Sequence, residues 1–275
     1  MHETEQDYAK KSFDDVAHKY DEIPFFKISA RHVVNIIKKY KGRGDLDVLD
    51  VACGTGNVVL ECAVCMATAN FDALDIAEGM LAKATQNAKE KNLSNIDFYL
   101  QDITQMNLEK KYDVITCAYA LFFLPDAHKV LSTLVELLKK DGIVVFTSFT
   151  DKAFSPSNEI LLPLLRKYGS KSAMAYVMDK WENLKQLKDI EHLCALAEVN
   201  APEIQSKSIR SGMSLDEWWE LLNNTGYKGM LMELNLEDYE RVKNEYYEAM
   251  YKYADMDGEV ELVADSYFVV VQKIN

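Results

Sequence analysis

The chain's most chemically suggestive stretch is VLDVACGTG, residues 48–56. It reads as a buried strand running into a glycine turn that opens a helix. Such a turn aims backbone N–H groups at something small and polar. Asp50 stands inside the strand, and Gly54 and Gly56 let a ligand approach the backbone closely. Asp75 ends the next predicted strand and Asp102 the one after it. In an open α/β sheet, ligands bind outside the carboxyl ends of the strands, so these three carboxylates and the turn converge on one site.

Three ligand classes compete for that site. A nucleoside triphosphate loop needs G-x-x-x-x-G-K-[ST], which the chain lacks. A dinucleotide turn needs a third glycine, but Gly54-Thr55-Gly56 is followed by Asn57, Val58 and Val59. S-adenosylmethionine is the third. Asp75 suits ribose hydroxyls in either of the last two cases. Asp50 discriminates: a carboxylate there holds a methionine ammonium, directly or through water, and repels a pyrophosphate. Asp102 is placed to accept from the adenine amino group, with Ile103 adding backbone contacts.

The elements that position these groups alternate. Strands are predicted at 46–52, 70–76, 96–103, 112–120 and 143–149, and helices at 32–40, 57–67, 78–92 and 128–140. That rhythm implies a parallel sheet with helices on both faces. The first twenty residues also read as helical. After Phe149 the rhythm breaks into helices at 155–169, over much of 171–199, at 214–226 and at 235–255, with strands at 204–212 and 266–273. Ser214-x-x-Glu217 fits a capping box. We expect one domain, 1–275, with an N-terminal lid (1–30), a cofactor-binding core (31–150), a helical substrate lid (151–203 and 213–258) and two completing strands (204–212 and 266–273).

Composition bounds the partners. The chain has 275 residues, 48% of them hydrophobic, and a net charge of −13. That charge repels phosphate backbones and anionic lipid, so nucleic acid is not an expected partner. The basic group Lys38, Lys39, Lys41 and Arg43 closes a predicted helix, where cations complement the dipole. No stretch approaches the ~20 apolar residues of a membrane helix, so no membrane insertion is expected. Five cysteines, an odd number on predicted core elements, argue for a reducing compartment, and the cytoplasm is the expected location. Cys62 and Cys65 form C-x-x-C inside a helix without a second pair or a nearby histidine, which reads as buried thiols; no metal is expected.

VLDVACGTG, LDIAEGML, LQDI, YDVITCAYALFFLPD and DGIVVF together resemble the class I S-adenosylmethionine-dependent methyltransferases. They are similar to the small-molecule branch that includes the ubiquinone and menaquinone methyltransferases. The resemblance covers residues 12–150 and continues more loosely to the closing strand. It implies a Rossmann-like, doubly wound, seven-stranded α/β sheet of order 3-2-1-4-5-7-6 with the last strand antiparallel. It implies that Asp50, Cys53, Gly54 and Gly56 shape a methionine pocket. Asp75, Ile76 and Met80 would hold ribose and adenine, and Asp102 and Ile103 adenine. Cys117 and Ala118 would line the methyl-transfer end. FDDVAHKYDEIPFF resembles the N-terminal lid of these enzymes, with Tyr20 over the cofactor.

Methyl transfer demands alignment and a dry site more than an acid or base. On the acceptor side, Tyr119, Phe122 and Phe123 face the expected pocket rim, with core or lid packing as the alternative. Tyr20, Tyr119 and His128 are the catalytic candidates; His128 equally suits a capping role. Of Trp218 and Trp219, one is expected in the core and the other as a substrate wall. Arg210 would meet a substrate carboxylate unless it forms a surface ion pair, and Asn158 and Tyr227 are further candidates. FFLPD and EWW also resemble the methyltransferase module of ovothiol synthases, which implies a thiohistidine-type acceptor methylated at an imidazole nitrogen or thiol. A quinol ring carbon is the alternative acceptor. An NAD-dependent oxidoreductase and a non-catalytic cofactor-binding subunit are the competing classes. A monomer or a homodimer is expected, the latter through the aromatic YYEAMYKY segment.

Overall fold

The computed structural model describes residues 13–14, 16–42, 44–124, 126–175 and 181–273. Most of the helix expected over the first twenty residues lies outside them, as do Arg43 and Pro125. In chain order the strands are β1 (Asp47–Val51), β2 (Asn70–Asp75), β3 (Ile96–Leu100), β4 (Tyr112–Ala118), β5 (Leu138–Phe149), β6 (Glu203–Lys207), β7 (Arg210–Met213), β8 (Val260–Val263) and β9 (Ser266–Gln272). The helices are α1 (Pro24–Lys41), α2 (Asn57–Cys65), α3 (Glu78–Glu90), α4 (Ala127–Glu136) and α5 (Ser157–Lys167). They continue with α6 (Lys171–Ala175), α7 (Leu187–Leu196), α8 (Leu215–Asn223), α9 (Lys228–Met232) and α10 (Leu236–Tyr251).

β1 pairs in parallel with β2 and β4, β3 with β2, and β5 with β4. β9 runs antiparallel between β5 and β6. The sheet order is β3-β2-β1-β4-β5-β9-β6. β7 and β8 form a separate two-stranded sheet, so β9 is the seventh strand of the main one, and the order corresponds to the expected 3-2-1-4-5-7-6. Helices cover both faces, which is why the central strands read as near-continuous apolar runs. Alternate residues feed opposite layers: Val48 packs with Val33, Ile37 and Phe71, and Leu49 with Leu131, Leu134 and Phe146. A third cluster forms among the later helices, with Leu161 and Leu165 from α5, Trp218 and Leu221 from α8, and Val242 and Tyr246 from α10. No helix among the described residues is long and apolar enough to cross a membrane.

Three elements differ from expectation. The helix expected over 128–140 ends at Glu136, and Leu138–Lys140 belong to β5. Tyr112 pairs with Leu138 and Val114 with Ile143, so the residues between bulge out of the ladder, with Asp141 in the left-handed region at φ 58°. The expected strand 204–212 splits at Ser208-Ile209 into β6 and β7, which serve different sheets. Of the 171–199 region, the described residues form α6, a 3-10 turn at Trp181–Asn183 and α7, and residues 176–180 lie outside them. The capping box is present: the Ser214 side chain accepts from the Glu217 N–H, and the Glu217 carboxylate accepts from the Ser214 N–H at 2.8 Å.

Trp218 is the largest fully buried side chain, and its Nε1–H donates to the Val260 carbonyl at 3.1 Å, tying α8 to β8. Trp218→Ala is therefore expected to cost about 3–5 kcal/mol. The check is a fall in the urea midpoint at unchanged slope.

Candidate functional site

β1 delivers the chain into a turn in which Ala52, Gly54 and Gly56 all have positive φ (51°, 55° and 87°). Asp75, at the end of the neighbouring strand, braces it. One carboxylate oxygen accepts from the Gly54 N–H at 2.8 Å and the other from the Ala77 N–H at 2.9 Å. The two glycines have different jobs. A Cβ on Gly54 would meet open space, which is the cavity itself. A Cβ on Gly56 would stand 3.1 Å from Leu60 Cδ1 and 3.3 Å from Ala84 Cβ. Gly56 lines neither cavity and is needed for the packing of α2 on α3, a correction to its expected place in the methionine pocket.

Asp50 is 1% exposed. It accepts from Thr116 Oγ1 at 2.6 Å and from the Val59 N–H at 3.2 Å. Burial pushes its carboxyl up to about 7 against those two bonds, and the nearby Asp75 adds to the rise. Burial likewise raises Asp75. The other end of the sheet is built differently. There Lys139 bridges Asp47 and Asp113 at 2.7 and 2.8 Å, and Lys110 holds Asp72 at 2.7 Å. The lysines hold the Asp47 carboxyl below its usual range. Among the described residues no salt bridge reaches Asp50 or Asp75.

Two adjoining cavities open at the turn, of about 350 and about 50 Å³. Tyr20, Ala52, Gly54, Ala118 and Tyr119 line both. The larger is also walled by the expected Asp75, Ile76, Met80, Asp102, Ile103 and Phe123, and the smaller by Asp50 and Cys53. Among the described residues neither lining contains a lysine, arginine or histidine. Asp102 also caps the 3-10 turn that follows it, accepting from the Thr104 N–H at 2.8 Å.

The N-terminal segment closes over this site. Tyr20 stacks on Phe26 with centroids 4.6 Å apart, and burial raises its hydroxyl pKa, with Asp75 adding. Asp21 accepts from Thr55 Oγ1 at 2.5 Å and from Asn87 Nδ2 at 2.7 Å, and Asp14 accepts from the Gly79 N–H at 2.7 Å. The two acids thus latch the segment to the starts of α2 and α3, where negative charge is favoured. Sequence reasoning missed this latch, although Asp14 and Asp21 stand inside the segment compared with a lid. It also missed Phe13, Gln101, Ala120 and Leu124 of the larger cavity and Ser29 of the smaller. Gln101 had a signal, its place beside Asp102; Ser29 had none.

Several acceptor-side candidates lie elsewhere. Cys117 alternates with Ala118 on β4 and points into the opposite core layer, so it lines no methyl-transfer end. His128, in the first turn of α4, lines neither cavity, and neither does Phe122, which packs against Phe123 and Phe149. Asn158 and Tyr227 bond to each other, away from both linings. Arg210 is half exposed and pairs with Glu261 at 2.6 Å. Both tryptophans are buried in the third cluster, Trp219 bonded to the Tyr239 hydroxyl at 3.0 Å, so neither is a substrate wall. The Tyr119 ring lines both cavities and stacks on Phe149 at 4.4 Å, but its hydroxyl bonds to Ser29 and Ser266 rather than standing free as a base. Cys62 is buried, Cys65 is half-buried, and no metal-binding cluster occurs among the described residues.

A family model described as a methyltransferase domain matches residues 43–226, more than half of the chain. The malonyl-[acyl-carrier protein] O-methyltransferase of Bacillus anthracis is 30% identical over 147 residues, 53% of this chain and 54% of that protein. The chain thus spans about half the length of the first relatives it matches. The demethylmenaquinone methyltransferase of Lactococcus lactis is 27% identical over 219 residues, 74% of this chain and 87% of that protein. Among solved structures, phosphoethanolamine N-methyltransferase 2 of Haemonchus contortus, in complex with S-adenosylhomocysteine, superposes with a TM-score of 0.53 at 17% identity. That likeness covers 89% of this chain and 53% of that one, and it is a likeness of folds. With the matched region running through the glycine turn, Asp50, Asp75 and Asp102 and on to α8, the chain belongs to the methyltransferase domain family.

Proposed function

We propose that the chain transfers the methyl group of S-adenosylmethionine to a small-molecule acceptor. The observation that carries this reading is the lining: Asp50, Asp75 and Asp102 around one glycine turn, with no cationic side chain among the described lining residues. Such a lining suits a ligand rich in donors and positive charge and repels a pyrophosphate. Asp50, buried and unpaired by any cation, receives the methionine ammonium. Asp75 keeps the turn open and presents its carboxylate to ribose. Asp102, with Ile103, Ile76 and Met80, holds the adenine. When bound, S-adenosylmethionine supplies an electrophilic methyl carbon on a sulfonium.

Tyr20, Ala118 and Tyr119 wall the junction of the two cavities, exclude water and leave the acceptor a narrow line of approach. The tyrosine hydroxyls there are raised by burial and His128 lines neither cavity, so none of these three candidates is a ready base for the acceptor. The acceptor therefore brings its own nucleophile, such as a thiol, a free amine or an activated ring. A quinol ring carbon is supported by the demethylmenaquinone relative, which aligns over 74% of this chain, and by the aromatic wall of Phe13, Tyr20, Tyr119 and Phe123. A thiohistidine-type acceptor gains no support from the geometry, because Trp218 and Trp219 of the EWW segment are core residues.

Calorimetric titration with S-adenosylmethionine, S-adenosylhomocysteine and NAD tests the reading. Binding of both adenosyl ligands without NAD is expected, and the reverse would overturn it. Asp75→Ala should weaken the adenosyl ligands at least tenfold. It should also lower the melting temperature, because it strips two backbone N–H groups of their acceptor. Gly54→Val should abolish binding by filling the cavity.

The pH dependence has a definite sign. In the free protein Asp50 carries its proton below about pH 7. An ammonium requires it ionised, so affinity for S-adenosylhomocysteine should fall toward tenfold per unit below about pH 7 and level off above. The truncated ligand 5′-methylthioadenosine, which has no amino-acid tail, should show no such slope in the same titrations.

A further inference from the structure

Ser29, on α1, is buried to 1% exposure and lines the smaller cavity together with Asp50. Its Oγ lies 2.8 Å from the Tyr119 hydroxyl. The direction of that bond follows from its neighbours. Ser266 Oγ donates its only hydrogen to the Ala264 carbonyl at 3.0 Å. Ser266 can therefore only accept from Tyr119, at 2.9 Å. Tyr119 has one hydrogen to give, so toward Ser29 it can only accept. The Ser29 hydrogen is committed to Tyr119, and Ser29 Oγ has lone pairs alone left for a ligand.

We propose that Ser29 is a binding residue of the donor pocket, made an obligate acceptor by this one-way relay, and that it fixes which end of the ligand's amino-acid tail enters the smaller cavity. An ammonium, which only donates, is matched by Ser29 and Asp50 together. A carboxylate, which only accepts, is refused by Ser29 and by ionised Asp50. The relay starts on α1, passes through the corner after β4 and ends beside β9, so its polarity is set by residues remote from the ligand. The inference rests on the S-adenosylmethionine reading and deepens it by naming what orients the tail.

The test is a set of calorimetric titrations with S-adenosylhomocysteine and with 5′-methylthioadenosine. Ser29→Ala should weaken S-adenosylhomocysteine about tenfold, the loss expected for one hydrogen bond to a charged group. It should leave 5′-methylthioadenosine within about twofold, since that ligand has no ammonium. Tyr119→Phe keeps the ring on Phe149 but frees the Ser29 hydrogen, so it should also weaken the first ligand selectively. The double variant should then be no worse than Ser29→Ala, because both changes act through one hydroxyl. Equal losses on both ligands would mean a loosened α1 and would overturn the proposal. So would an unaltered S-adenosylhomocysteine affinity in Ser29→Ala, or additive losses in the double variant. Failure of the unmodified protein to bind either ligand would instead remove the S-adenosylmethionine reading, and this inference with it.

Discussion

Two buried carboxylates on adjacent parallel strands, with no lysine or arginine pairing them among the described residues, set the terms for the rest of the structure. Burying an unpaired charge is costly unless hydrogen bonds or a shifted pKa relieve it. Here both happen. Asp75 takes the N–H groups of Gly54 and Ala77, and Asp50 takes Thr116 and the Val59 N–H, yet both remain raised. The glycine turn is braced in its positive-φ conformation by Asp75, which also lines the larger cavity. The site and the local fold are thus the same set of bonds. The contrast with Asp47, Asp72 and Asp113, all neutralised by lysines at the other end of the sheet, makes the bare acids at the carboxyl end a feature of the binding edge.

The same edge explains how the N-terminal segment is used. Asp14 takes the Gly79 N–H, a donor that the start of α3 leaves open, and Asp21 takes the side chains of Thr55 beside α2 and Asn87 of α3. Tyr20, carried between them, becomes a wall of both cavities. Tyr119 is its counterpart from the sheet. At φ 54° it leaves the β4 direction, lays its ring on Phe149 and sends its hydroxyl back toward α1 and β9. The junction is therefore enclosed by two aromatic rings, Tyr20 stacked on Phe26 and Tyr119 stacked on Phe149 and held through its hydroxyl.

Much of this was legible in the sequence because it depends on short-range order. Asp50, Gly54, Asp75 and Asp102 occupy strand ends, and strand ends follow from apolar runs bounded by turns. The parallel core of the main sheet followed for the same reason, whereas its strand order and antiparallel last strand came from the family resemblance. What failed depends on distant partners. Leu137-Leu138 suits a helix face as well as a strand, and only pairing with Tyr112 decides it. Arg210, Trp218 and Trp219 read as ligand groups because their true partners, Glu261, the Val260 carbonyl and Tyr239, come from later in the chain. Val260 and Glu261 lie in β8, a four-residue strand with a charged residue inside it, too short to announce itself. Gly56 matched a ligand-contact glycine in the motif, but Leu60 and Ala84 claim the space beside it. Ser29 had no signal at all, since its polarity is set by Tyr119 and Ser266.

The acidic lining also bears on the direction of the proposed reaction. A sulfonium carries a positive charge that the sulfur loses when the methyl leaves, while the ammonium at the other end keeps its own. The field of Asp50, Asp75 and Asp102, together with the electron-rich faces of Tyr20 and Tyr119, favours the charged donor over its neutral-sulfur product. That preference opposes the chemical step as well as holding the donor, so it must be small at the sulfur and large at the tail. The geometry meets that requirement. Asp50 and Ser29 line only the smaller cavity, whereas the junction shared with the larger one is walled by Tyr20, Ala118 and Tyr119, which carry no formal charge. Affinity is thereby concentrated on the group whose charge does not change, and the reacting centre is left to alignment and the exclusion of water.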